Sequence, residues 1–294
     1  MNKNSNLIFI LFFVAILGVG VLVGVVAGTH LFELAFPQET VSDSLESTSD
    51  SQSTGGSADK PVDQTPKKMI ALTFDDGPDS ENTAKILDLL EQYDAQATFF
   101  VCGSNVTIST RTALRRAISL GCEIGNHTLS HKDMRNLSEQ ELLKEILDTN
   151  EKIALHSGTN YQCKLYRPPY GNINLSAMNT LYDNDICMYS IHWSSDSLDW
   201  EYQNRYKKGE ITREAAIDGA FQTIVNETSE GTVILMHDIH EITPDILKLV
   251  LEKYTAEGYT FVTVSELFGL EENAPKEAYF KRYRSTSSIL ATTK

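Results

Sequence analysis

Seven short apolar runs, with residues of helical spacing between them, most restrict how this chain can fold. The runs are Met69–Phe74, Ala97–Cys102, Glu123–Asn126, Lys164–Arg167, Cys187–Trp193, Thr232–Met236 and Thr260–Val264. Runs of this length read as strands. Helical patterns lie between them at Glu81–Tyr93, Thr112–Leu120, Glu139–His156, Leu175–Tyr182, Arg213–Asn226 and Pro244–Glu257. The clearest is Glu139–His156. Ser138 and Glu141 form a capping box, Leu142, Leu143, Ile146, Leu147 and Ile153 line one face, and Gly158 lies just past the end. About seven βα units in about 200 residues define an α/β domain with a parallel sheet, either a barrel or doubly wound.

The alternation occupies residues 69–270, and what flanks it differs. After a short N-terminus (1–6) with Lys3, residues Leu7 to Gly28 form an uncharged, mostly apolar run. Its 22 residues would span roughly 33 Å as a helix, enough to cross a hydrocarbon core. We expect an uncleaved single-pass signal anchor, with the N-terminus cytoplasmic and the folded domain outside the cell. The competing reading is a signal peptide cut after Val25-Val26-Ala27. Residues 29–68 read as a disordered linker rich in Ser, Thr, Asp and Gln, too poor in apolar groups to offset the entropy of ordering. Between Leu31 and Thr65 seven acids and one Lys leave a local charge of −6. The basic tail, 271–294, is expected either to fray or to fold back on the domain.

The net charge of −15 argues against a nucleic-acid partner, which requires a basic face. No G-x-G-x-x-G or G-x-x-x-x-G-K-[ST] element follows a strand, so nucleotide binding loses support. Cys102, Cys122, Cys163 and Cys187 contain no C-x-x-C pair, which weakens a structural zinc site and leaves disulfides or free thiols open.

Chemistry-bearing residues collect where the runs end. Thr73-Phe74-Asp75-Asp76-Gly77-Pro78 places two adjacent carboxylates at a strand end that Gly-Pro turns. Such neighbours repel unless a cation or proton intervenes. His127 and His131 follow the third run at i, i+4, a spacing that puts both imidazoles on one side of a helical turn. With one carboxylate they suit zinc or a similar divalent ion and leave positions open for water and substrate. Arg167-Pro168-Pro169-Tyr170-Gly171 is a stiffened turn whose Tyr170 amide is free to face a site. Asp199 and Trp200 follow the fifth run. His237 follows the sixth directly, and His240 is its rival as a proton donor.

The segments TFDDGP, HTLSH, RPPYG, DSLDW and ILMH, in that order, resemble the motif set of the polysaccharide deacetylases of carbohydrate esterase family 4. The resemblance spans Met69 to Leu270 and implies a distorted (β/α) barrel. It implies Asp75 as general base and Asp76, His127 and His131 as ligands of one divalent metal, zinc first, with cobalt or manganese as alternatives. It implies Arg167 holding Asp75, the Tyr170 N–H stabilising an oxyanion, His237 as general acid tuned by Asp199, and Trp200 and Leu235 lining an acetyl pocket. The expected activity is removal of N-acetyl groups from N-acetylglucosamine in a cell-wall polysaccharide, peptidoglycan foremost. Chitin oligomers, poly-N-acetylglucosamine and acetylxylan are rival substrates, and a non-catalytic glycan-binding module is the rival of another class.

Overall fold

The computed structural model describes residues 68–292. The expected anchor, 7–28, and nearly all of the expected linker lie outside the described residues. Among those described, no helix is long and apolar enough to cross a membrane.

The strands are β1 (Lys68–Asp75), β2 (Ala97–Val101), β3 (Glu123–Asn126), β4 (Leu165–Tyr166), β5 (Tyr189–Ile191), β6 (Ser195–Asp196), β7 (Val233–His237), β8 (Tyr259–Phe261), β9 (Lys281–Ser285) and β10 (Ser288–Ala291). The helices are α1 (Asn82–Gln92), α2 (Arg111–Ser119), α3 (Glu139–Ser157), α4 (Leu175–Asp183), α5 (Asp199–Lys207), α6 (Arg213–Glu227), α7 (Thr243–Ala256), α8 (Val264–Phe268) and α9 (Lys276–Tyr279). The sheet runs β10-β9-β5-β4-β3-β2-β1-β7-β6, with β8 also paired to β1. All pairings are parallel except the β9–β10 hairpin. Successive strands β5 and β6 are parted by three residues, yet β5 pairs with β4 and β6 with β7. One stretch of chain thus leaves one flank of the sheet and joins the other. The sheet must curl back on itself, as a distorted barrel requires.

Each expected strand is present, several shorter than its apolar run. The last run is split: Tyr259–Phe261 is strand, and Val264 opens α8. Three strands and three helices were not anticipated: β6, β9, β10, α5, α8 and α9. Beyond Leu270 the chain folds back, and β9 pairs with β5.

Residues on β1 show how the pattern positions the site. Ile70, Leu72 and Phe74 pack outward with Ile86, Leu87 and Leu90 of α1 and Ile246 and Val250 of α7. Ala71, Thr73 and Asp75 occupy the opposite, inner face, because strand side chains alternate. α3 carries the expected capping box and ends at Gly158 in the left-handed region. Leu147, expected on its apolar face, is 49% exposed. The buried stripe instead takes in Glu145 and Thr149 beside Leu142, Ile146 and Ile153. Glu145 is stabilised there by the Ser130 amide and hydroxyl, at 2.7 and 2.6 Å.

Candidate active site

Asp75 ends β1, His127 follows β3, Arg167 follows β4 and His237 ends β7. These are the C-terminal ends of parallel strands, the face where barrels of this kind build sites.

Asp75 is buried, and its Oδ1 accepts from Arg167 Nη1 at 2.7 Å. Arg167 is fully buried. It also donates to Thr73 Oγ1 at 2.8 Å and to the His192 carbonyl at 3.0 Å, and stacks 4.2 Å from the Phe100 ring centroid. The guanidinium is therefore fixed, and it fixes one Asp75 oxygen. Burial raises the Asp75 carboxyl above the ordinary range, and Arg167 and His237 only partly oppose this. Such a carboxylate accepts a proton more readily than an exposed one.

Strict alternation would send Asp76 away from Asp75, into the helix layer. Instead Asp76 adopts φ 76°, which breaks the strand and turns the carboxylate toward the imidazoles. Asp76 Oδ1 lies 3.5 Å from His127 Nε2 and 3.4 Å from His131 Nε2. A tetrahedral ion with ligands at about 2.0–2.1 Å sets donor atoms about 3.3–3.4 Å apart. The three residues therefore match the donor set and spacing of a divalent-metal site. Asp75 Oδ2, 3.6 Å from His127 Nε2, stands beside it. His127 Nδ1 lies 2.7 Å from the Arg167 carbonyl, which fixes Nδ1–H as the donor and frees Nε2 as a ligand. Burial lowers the His127 pKa to about 3, so the ring stays neutral, as ligation demands.

The two histidines meet by a route the spacing did not foretell. HTLSH forms an irregular loop, with Thr128 at φ 65° and His131 at φ 56°, where a helical turn was expected. Asn126 Oδ1 accepts from the Thr128 amide, and Thr128 Oγ1 from the His131 amide. Four of the site motifs each hold a left-handed non-glycine residue: Asp76, Thr128 with His131, Tyr170 and Leu198. Such residues cost about 1–3 kcal/mol each and persist where surrounding structure over-determines them.

Asp199 opens α5 at full burial. Its oxygens accept from His237 Nδ1 and the Thr243 hydroxyl at 2.7 Å, from the His237 amide at 2.7 Å and from the Trp200 amide at 2.9 Å. Burial alone would lower the His237 pKa, but Asp199, through charge and hydrogen bond, raises it to about 9. Asp199 in turn falls to about 2. Asp199, His237 and His240 also form a cluster with ligand-type atoms within 4.8 Å. Its 2.7 Å carboxylate–imidazole distance is a hydrogen bond, too short for two ligands of one ion.

Asp75, Asp76, His127, His131, Tyr170, Trp200, Leu235 and His237 converge on one cavity of about 430 Å³. Arg167 and Asp199 stand behind it. His240 lines the cavity too, its ring centroid 5.6 Å from that of His237, but only His237 pairs with the carboxylate. Tyr170 is held at φ 60° by Pro168 and Pro169 and by Gly171 and Asn172 amide bonds, a ladder that skips its own N–H. Its ring meets His131 edge-on at 4.7 Å.

Sequence reasoning missed three contributors. Trp193 lines the cavity; as the last residue of an apolar run it carries no local signal of a site. Asp238 is buried against Gly77, whose missing side chain leaves room for that carboxylate, and it accepts from the Thr83 hydroxyl. The His237-Asp238 pair was the available signal. Asn105 donates to the Asp76 carbonyl at 2.7 Å from a segment without a motif. All four cysteines are free thiols, and Cys102 packs beside Asp76 and His127.

A buried carboxylate, a two-histidine, one-carboxylate cluster and an imidazolium–carboxylate pair around one cavity define a hydrolase-type site. The sequence model of the polysaccharide deacetylase family matches residues 62–187. A peptidoglycan-N-acetylglucosamine deacetylase of Listeria monocytogenes is 36% identical over 214 residues, 73% of this chain and 42% of that one. A peptidoglycan-N-acetylmuramic acid deacetylase of Bacillus subtilis is 39% identical over 201 residues, 68% of this chain and 39% of that one. The chain thus spans about two fifths of the length of these relatives. The solved structure of the Bacillus subtilis peptidoglycan deacetylase aligns with TM-score 0.58 and 39% identity, covering 68% of this chain and 90% of that one. A family 4 acetyl xylan esterase of Clostridium thermocellum, solved with a cobalt ion, aligns with TM-score 0.62 and 33% identity, covering 74% and 99%. The chain belongs to the polysaccharide deacetylase family.

Proposed function

We propose that this protein is a metal-dependent hydrolase that removes N-acetyl groups from N-acetylglucosamine residues of peptidoglycan. The reading rests above all on Asp76, His127 and His131 standing at ligand spacing beside the buried Asp75, with the His237–Asp199 pair lining the same cavity. Zinc is the proposed ion, with cobalt and manganese as substitutes. A divalent ion held there would polarise the acetyl carbonyl and acidify a water. Asp75 takes the proton of the attacking water. The Tyr170 N–H donates to the developing oxyanion, a contribution typically worth about 10²–10³ in rate. His237 delivers its Nε2 proton to the leaving amine, and Asp199 keeps that imidazole charged and oriented. Trp200 and Leu235 enclose the acetyl methyl. We further propose that residues 7–28 anchor the domain to the outer face of the cell membrane.

Purified peptidoglycan and chitin oligomers incubated with the protein, followed by measurement of released acetate, test the activity. Identifying which sugar carries the free amine decides the substrate. A second reading, in which the N-acetylmuramic acid residues are deacetylated, has support from the 39% identity to the Bacillus subtilis relative. Acetate from neither polymer, with metal bound, would favour a non-catalytic glycan-binding module.

A further inference from the structure

We propose that a groove beside the catalytic cavity is a subsite for a carboxylate carried by the sugar next to the one being deacetylated. This rests on the deacetylase reading above. The groove has a volume of about 260 Å³, and Tyr170, His192, Trp193, Arg282, Arg284 and Leu290 line it. Tyr170 and Trp193 also line the catalytic cavity, so an occupant of one space touches the wall of the other.

Topology puts the arginines there. β9 runs parallel to β5, with Ser190 opposite Arg282 and Ile191 opposite Tyr283. Its C-terminal end therefore reaches the same rim as the site. Alternation along β9 buries Tyr283 in the core and leaves Arg282 and Arg284 together on the other face. Both are braced by carbonyls. Arg282 Nη2 donates to Ile173 O at 3.0 Å, and Arg284 Nε to Trp193 O at 3.1 Å.

Arg116, Arg135, Arg167, Arg205 and Arg213 each have a carboxylate partner. Among the described residues, Arg111, Arg115, Arg282 and Arg284 have none; of these only Arg282 and Arg284 line the groove, in a chain of net charge −15. Among the described residues, no acid lines the groove. Burial and the charges of Arg167, Arg282 and Arg284 hold the His192 ring neutral. The groove thus combines an uncompensated guanidinium pair, suited to a planar carboxylate, with an exposed Tyr170 ring and Trp193 against which a sugar can stack.

Two tetrasaccharides test this. One alternates N-acetylglucosamine with N-acetylmuramic acid free of stem peptide, whose lactyl ether then ends in a free carboxylate rather than a peptide amide; the other is chitotetraose, which lacks it. Arg284→Gln, at an exposed position, and the double variant Arg282→Gln/Arg284→Gln are compared with the wild type. The expected result is a KM about tenfold higher on the acidic substrate, with kcat and the chitotetraose kinetics unchanged. Added salt should erase the wild-type preference, and Arg284→Lys should restore part of it. Equal losses on both substrates would reveal a structural role and overturn the subsite, as would no change on either. Calorimetric binding of the two tetrasaccharides is measured in parallel and requires no turnover. Loss of the acidic ligand's advantage in Arg284→Gln supports the subsite even if no acetate is released, an outcome that would sink the deacetylase reading alone.

Discussion

Asp199→Asn isolates the part of the site proposed to protonate the leaving group. In the wild type His237 has a pKa of about 9, against an ordinary 6.5. That gap of about 2.5 pH units corresponds to about 3 kcal/mol of preference for imidazolium. Burial opposes the charge, so the gap depends chiefly on Asp199, with smaller help from the charges of Asp75 and Asp76. At pH 7.5 the wild-type ring is about 97% protonated, whereas a ring at or below 6.5 is at most about 9% protonated. Protonation alone therefore costs about tenfold. Geometry adds to it, because Asp199 accepts four hydrogen bonds and an amide of the same shape presents NH₂ to two of those donors. Loss of those bonds should also lower stability by about 1–3 kcal/mol. The assay is acetate release from chitin oligomers between pH 6 and 10, with metal content and thermal unfolding measured on the same preparations. The wild type should lose activity as pH rises toward about 9. Asp199→Asn should retain its metal and show that alkaline limb displaced by about 2 pH units or more to lower pH. An unmoved alkaline limb in a folded, metal-loaded variant would refute the reasoning. The pair also shapes stability. The raised His237 pKa contributes fully below pH 6.5 and fades as pH climbs through about 9, while the depressed Asp199 pKa contributes above 3.8 and fades toward pH 2.

The double variant His127→Ala/His131→Ala should bind no metal and release no acetate, and elemental analysis showing full occupancy would sink the ligand assignment. Asp75→Asn should keep the metal and lose turnover by about 10²–10⁴-fold, while Asp76→Asn should lose the metal; the reverse pattern would exchange their roles. Gly77→Ala should unfold at lower temperature, because a methyl group there overlaps the Asp238 carboxylate; the companion Gly77→Ala/Asp238→Ala should recover most of the loss if that overlap is the cause. Intact-mass analysis of protein extracted from membranes should find residues 7–28 still attached, and a form beginning near Gly28 would establish secretion instead.

The alternation of strand and helix was legible because each element repeats its own period in its own residues, whatever surrounds it. β1 shows this, its apolar positions sorting cleanly to two faces. Site residue types were legible because Asp75, His127, Arg167 and His237 sit at the ends of those runs. β6 and the β9–β10 hairpin were not. Two residues carry no period, and Arg282, Tyr283 and Arg284 become a strand through the exposed edge of β5. Leu147 was misjudged for a related reason: a helix tells which residues share a face but not how wide a face its neighbours cover.

The sequence by itself determined an α/β domain, its strand order along the chain and the kinds of group gathered at one rim. Those follow from local periodicity and from where it stops. Only the tertiary structure decided that Asp76 turns away from the strand's alternation, that HTLSH closes on it as a loop, and that a far C-terminal hairpin brings arginines to the same rim. Left-handed backbone at Asp76, Thr128, His131, Tyr170 and Leu198 is unfavourable for each residue alone. It is imposed by contacts between segments distant in sequence, which no local pattern encodes.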